Sequence, residues 1–397
     1  MLSRLHLFAL STLVGIVSAV PATAQPEEQT ACIEDFESGV DYFPDKIEPE
    51  YAGNFTVSYR DFYKIVTVEE AYAGGPLETY VLVQCGAPEP ILEGDLAEAP
   101  VIQVPIGSMF SASTTHLPMI DALGAVDRVT GVGSLAFATT EAFLAAGEAG
   151  QVIEYAAAGS PDVEVVIDGD PDMLMTGGSD NEAYETIADA GIPVVANAEW
   201  LETSLLGRAE WVKFIALFLN AEAAANAVFN DIETSYLDAA AAVAGLPESE
   251  RPLVLAGSSF QGTFYAPGGR SYSVEAIETA GGRYVFGDND STSSLSFGDL
   301  EQIIAAGSEV DVWVNAATGY RTLADIAADD PRLATLPAAE AGNVWIYDRI
   351  STASGGVAFF ELGVLRPDLI LRDLIEIFHP GTLPDHDFVF YRTIASE

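Results

Sequence analysis

Lysine is nearly absent from this chain: Lys46, Lys64 and Lys213 are the only three among 397 residues. With arginine included, 16 basic residues stand against 60 acidic ones, a net charge of −44 at pH 7. So negative a surface repels phosphate backbones and anionic bilayers, which argues against nucleic acid and against direct membrane contact. Its plain purpose is solubility in a salty medium, where repulsion is screened within several ångströms. Attraction of a cationic ligand is the functional alternative.

Histidine is as scarce. Outside the leader described below there are His116, His379 and His386. The chain has no H-E-x-x-H, no P-loop and no Cys/His metal spacing. Gly257-Ser-Ser-Phe-Gln261 lacks the second glycine of a nucleophile elbow. No catalytic residue and no cofactor are therefore expected. His116 alone falls where it could face a cleft, and its plainer role is at a helix start. An exported enzyme of unknown reaction and a free-metal receptor remain the alternatives.

Long apolar runs are missing beyond the first 24 residues. Arg4, the apolar stretch from Leu7 to Val20 and Ala22-Thr-Ala24 read as a secretory signal cleaved after Ala24, too short to span a bilayer. The mature chain is then periplasmic, in an oxidising compartment. The two cysteines, Cys32 and Cys85, allow one pairing. A disulfide there would contribute roughly 4 kcal/mol in the chain-entropy model. Acylation of Cys32 is the rival, against which Gln29-Thr-Ala31 is a poor lead-in.

What is present is a pattern stated twice. Met119-Ile-Asp-Ala-Leu-Gly124 and Asp127-Arg-Val-Thr-Gly-Val-Gly133 are followed by Asp168 to Gly177 and Ala188 to Asn197. Val274 to Gly282, Arg283-Tyr-Val-Phe-Gly287, Ser308 to Asn315 and Ala339 to Asp348 repeat the order of helix, small-residue stop and short apolar strand. Alternation of strand and helix predicts parallel sheets covered on both faces. The expected class is α/β: two Rossmann-like lobes joined by one long helix, with a small β extension in front. The predicted divisions are a signal at 1–24, the extension at 25–98, lobe one at 99–205, a connector at 206–246 and lobe two at 247–397. Trp211, Phe214, Ile215 and Phe218, then Val228, Phe229, Ile232 and Tyr236, recur at helical spacing and place the connecting helix over much of 208–243. Such a stiff hinge implies a small opening motion.

In doubly wound sheets ligands sit beyond the carboxyl ends of strands. Lobe one offers Thr114, Thr115, Ser134 and Phe137 there; lobe two offers Phe260, Tyr265, Arg270 and Tyr272, with Arg349 nearby. The hydroxyls can equally cap a helix. Aromatic rings with few donors suit a bulky, partly apolar ligand. The arginines would meet anionic ligand groups or neutralise neighbouring acids.

Five stretches carry a resemblance. Gly191-Ile-Pro-Val-Val195, Leu206-Gly-Arg-Ala-Glu-Trp-Val-Lys-Phe214, Tyr265-Ala-Pro-Gly-Gly-Arg-Ser-Tyr272, Asp311-Val-Trp-Val-Asn315 and Arg366-Pro-Asp-Leu-Ile-Leu-Arg-Asp-Leu374 with Phe378-His-Pro380 resemble the periplasmic binding proteins of iron-siderophore and cobalamin ABC importers. The resemblance covers roughly residues 100–395. It implies a monomeric receptor that holds a small-molecule metal chelate between its lobes and delivers it to an ABC permease. ATP hydrolysis then happens elsewhere, and the membrane is met only through the permease. Family members dock through one acidic residue per lobe. Glu182 matches in lobe one; in lobe two glycine stands at the family's position in Ser296-Phe-Gly298, followed by Asp299 and Glu301.

Overall fold

The computed structural model describes residues 32–394; the leader expected over 1–24 lies outside them. The chain opens with a sheet of its own. Strands β1 (Phe55–Arg60), β2 (Tyr63–Val68) and β3 (Glu78–Gln84) form an antiparallel meander, to which β4 (Val101–Val104) adds in parallel beside β3. Alternation produces the meander: in β2, Lys64, Val66 and Val68 point inward while their neighbours do not. The run at 101–104, expected to open lobe one, is instead the fourth strand of this sheet. Its pattern explains why. Ile102 and Val104 are buried and Val101 and Gln103 exposed, the one-sided burial of a strand with a single covered face. The sheet therefore runs past the expected boundary at residue 98. A Cys32–Cys85 disulfide fastens the segment ahead of β1 to the end of β3.

Lobe one is a five-stranded parallel sheet of β5 (Met109–Ser111), β6 (Val129–Val132), β7 (Ile153–Glu154), β8 (Met173–Thr176) and β9 (Val194–Ala196), in the order β7-β6-β5-β8-β9. Helices α1 (Leu117–Ala122), α2 (Glu141–Glu148), α3 (Val163–Gly169) and α4 (Glu182–Asp189) cover it. On one face Phe110 packs with Tyr155, Val166, Leu174 and Ile187. Burying such a ring is worth about 1.5–3 kcal/mol. It needs a glycine beside it, since a Cβ at Gly131 would lie 2.6 Å from the Phe110 ring.

The connector is helical: α5 (Leu205–Ala209), α6 (Trp211–Leu219) and the 20-residue α7 (Glu222–Ala241). Asn220 interrupts it in the left-handed region at φ 52°, closing α6 before α7 begins. The Leu217 carbonyl exposed by that break is met by the ammonium of Lys64.

Lobe two has a parallel sheet of β10 (Leu253–Ala256), β13 (Arg283–Tyr284) and β15 (Val312–Val314), ordered β13-β10-β15. An antiparallel sheet of β11 (Ser258–Phe260), β12 (Thr263–Ala266) and β14 (Leu295–Phe297) grows from the carboxyl end of β10. A pair of β16 (Trp345–Ile346) and β17 (Arg392–Thr393) completes the strands. Helices α8 (Tyr272–Thr279), α9 (Leu300–Ala306), α10 (Leu323–Asp329), α11 (Pro337–Glu340), α12 (Leu362–Leu365) and α13 (Pro367–Phe378) surround them. Glu275 of α8 accepts from the Leu205 amide at 3.3 Å and the Tyr236 hydroxyl at 2.9 Å, tying this lobe to the connector. Among the described residues no helix is long and apolar enough to cross a membrane.

Candidate functional site

The loops beyond the strand ends fall into two groups, one in each lobe. In lobe one, Ser113 accepts from the Thr115 amide at 3.2 Å and lies 2.8 Å from its hydroxyl, opening a short 3-10 turn over Thr114–His116. Ser113 and Thr115 thus satisfy each other, and Thr114 is half-buried. Ser134 gives its hydroxyl to Glu154 at 3.1 Å and accepts from the Ala136 amide. It holds its own loop in shape, and with it Phe137, which is 58% exposed.

In lobe two the Gly-rich stretch after β10 is a hairpin. Ser258 faces Tyr265 and Phe260 faces Thr263, so these four side chains share one side of the ribbon while Phe264 points to the core. Phe260 is 63% and Tyr265 43% exposed. The other candidates are engaged. Arg270 pairs with Asp290 at 2.6 Å, both well exposed, an arrangement worth little energetically. Tyr272 lies beneath the Arg208 guanidinium, 4.3 Å from ring centre, and Arg208 pairs with Glu199 at 2.7 Å. Tyr272 therefore packs lobe two on the connector, a role its place in an irregular stretch did not show. Arg349 is exposed and has no side-chain partner among the described residues.

Strand ends also present residues that pattern reading passed over. Trp200, three residues past Asn197 at the end of β9, is exposed, with its indole N–H donating to the Gly177 and Gly178 carbonyls. Ile350 and Phe360 are exposed on the loop that meets Phe137, and Phe360 rests edge-on against Tyr347. Applying the strand-end rule to β9 and β16 as well would have found Trp200 and Ile350. A cavity of about 690 Å³ spans the lobes on the connector side, lined by Pro118, Asp121, Thr140, Val228, Leu362 and Arg366. That is the size of small-molecule pockets in general.

The proposed docking acids lie at helix starts. Glu182 is the first residue of α4 and exposed. Asp299 caps α9 by accepting from the Glu301 amide at 2.9 Å, and Glu301 is exposed in its first turn. The helix dipole favours carboxylates at each place.

His116 is fully buried, its Nδ1 2.9 Å from the Ser111 hydroxyl. Burial pushes its pKa down from 6.5 to about 3. A group with a folded pKa below its unfolded one leaves stability intact above the unfolded value and removes it as pH falls. By pH 5 this histidine should account for about 2 kcal/mol of lost stability. Denaturant titrations at pH 7.5 and 5 should show that loss in wild type and not in His116→Asn. Equal pH dependence in both would refute it.

The periplasmic binding protein family model matches residues 111–350. The chain belongs to that family. An uncharacterized lipoprotein of Methanocaldococcus jannaschii is 26% identical over 294 residues, covering 70% of this chain and 67% of the relative. Among solved structures, the heme-binding protein RhuT from Roseiflexus sp. RS-1 superposes with a TM-score of 0.55 at 20% identity, covering 69% of this chain and 98% of its own. A periplasmic heme-binding protein from Pseudomonas aeruginosa gives 0.55 at 18%, covering 73% and 99%. Helicobacter pylori CeuE, solved with Ni(II) bound, gives 0.55 at 15%, covering 72% and 88%. At such identities the likeness is one of fold, and the two-lobed α/β architecture is common to this binding protein and its neighbours.

Proposed function

We propose that this binding protein is an exported, periplasmic receptor that captures a metal chelate between its lobes and delivers it to an ABC permease. A ferric siderophore fits first and cobalamin second. The observation that carries this reading is exposed aromatic surface at strand ends in both lobes: Phe137 and Trp200 on one side, Phe260 and Tyr265 on the other. Flat rings without charge suit a bulky, partly apolar chelate better than a sugar or an amino acid. Arg349 supplies a cation for an anionic ligand group, and Thr114, Thr115 and Ser134 border the lobe-one wall. Neighbours of the same fold bind heme or Ni(II), which keeps hemin among the probes. Glu182 in lobe one and Asp299 or Glu301 in lobe two would meet the permease.

Ferric enterobactin, ferrichrome, cyanocobalamin and hemin can each be titrated while tryptophan fluorescence is followed, with exposed Trp200 as reporter. Saturable quenching by one chelate supports the reading, and silence with all four counts against it. Phe260→Ala with Tyr265→Ala should weaken that binding by about 1–2 kcal/mol or more, as aromatic anchors do. Both rings face away from the core, so the melting temperature should hold. Unchanged affinity would remove the hairpin from the site.

A further inference from the structure

Glu361 has a buried carboxylate, 1% exposed, with no cation beside it among the described residues. Such a charge is costly unless donors replace its water. Four do, and all four belong to the other lobe. The Thr139 amide at 2.5 Å and hydroxyl at 2.8 Å meet one oxygen; the Thr140 amide at 2.9 Å and the Thr140 hydroxyl meet the other. Thr140 stands immediately before α2 yet makes no side-chain cap to its own helix. The carboxylate from lobe two takes that place, where the helix dipole also favours it.

The same loop is gripped a second time. A Cβ at Gly356 would lie 2.5 Å from the Phe137 carbonyl, and one at Gly355 would lie 3.6 Å from the Phe137 ring. Glycine at 356 lets the lobe-two loop come down on Phe137, and at 355 it is the φ of 102° that calls for glycine. Glu361 and these glycines are therefore two grips on the segment 133–140, one polar and one steric. Because every donor to Glu361 lies across the seam, its desolvation is compensated only while the lobes are together.

We propose that Glu361 is an interlobe latch. It is a positioning residue: it holds the segment 133–140, and with it Phe137, at a set distance from lobe two. Phe137 acting on ligand rests on the binding reading above; the latch itself does not.

Hydrogen–deuterium exchange of the ligand-free mature protein tests the latch directly. In Glu361→Ala, amides of 135–142 should exchange at least ten-fold faster, while those of β8 and β10 keep their protection. X-ray scattering should show a longer maximum dimension. Glu361→Gln, which keeps one acceptor oxygen but turns an amide toward the donors, should fall between. Thr139→Ala with Thr140→Ala removes two donors at an accessible seam and gives the same local signature, more weakly, even where Glu361→Ala fails to fold. Unchanged protection at 135–142, or equal loosening of both lobes' central strands, overturns the latch. Hemin and ferric enterobactin then test the second half: whichever binds wild type should dissociate at least ten-fold faster from the Thr139→Ala/Thr140→Ala protein. An unchanged rate would leave Phe137 outside the latch's reach. If neither probe binds wild type, ferrichrome and cyanocobalamin take their place; silence with all four fails the binding reading, and the exchange data still decide the latch.

Discussion

Replacing Glu210 with alanine should lower stability by about 3–5 kcal/mol, the range for removing one partner of a buried ion pair. Its carboxylate is fully buried and accepts from Lys213 Nζ at 2.7 Å. It also takes the backbone amides of Glu50, Tyr51 and Ala52, at 3.0, 2.7 and 2.7 Å. The next two amides, Gly53 and Asn54, go to Glu202 at 3.0 Å each, and Glu202 also accepts from the Trp211 indole. Five successive N–H groups of the extension are thus held by two carboxylates, Glu202 just ahead of the connector and Glu210 within it. Alanine at 210 leaves an ammonium and three amides without acceptors in a site closed to water. Urea denaturation measures the loss, and limited proteolysis should begin within 33–104, where the extension comes free. Glu210→Gln keeps an acceptor but not the charge and should cost less. A loss under about 1 kcal/mol for the alanine variant would show that the extension docks by its apolar contacts alone.

None of that docking was legible in advance. In Leu206-Gly-Arg-Ala-Glu210 nothing marks the acid as an anchor, because its partners are backbone amides some 160 positions away that carry no residue signature. The β-rich runs within 54–83, split by turn residues such as Gly74-Gly-Pro76, and the alternation of strands with helices are local signals, and the β extension and both lobes are read from them. The fourth strand was misplaced because pairing is not local: Val101–Val104 reads as a strand whichever sheet receives it. The interruption of the connector at Asn220 hid for another reason. Asparagine tolerates the left-handed region without the glycine or proline that usually marks a stop. At the strand ends, chain order alone names the loops. What becomes of each side chain depends on neighbours from elsewhere, as Tyr272 beneath Arg208 and Arg270 beside Asp290 show.

Lys64 turns the break at Asn220 into a measurable effect. It is an inward position of β2 and fully buried. Its ammonium bonds the Glu222 carboxylate, the Asn220 side-chain oxygen at 2.9 Å and the Leu217 carbonyl at 2.6 Å. One cation from the extension therefore closes the end of α6, which its charge suits, and neutralises the first residue of α7. Burial holds its pKa below the usual lysine range. Lys64→Met fills the space but leaves Glu222 charged, buried and unpaired, and should cost about 3–5 kcal/mol. Glu222→Gln added to it removes the stranded charge, so the double variant should recover a large part of that loss. The difference between the single losses and the double one measures the coupling, because the two side chains touch. Additive losses would mean that water reaches Glu222 once the lysine is gone, and that the pair does not hold the α6–α7 bend. Strong coupling would make Lys64, one of three lysines in the chain, the residue that fixes where the connector bends.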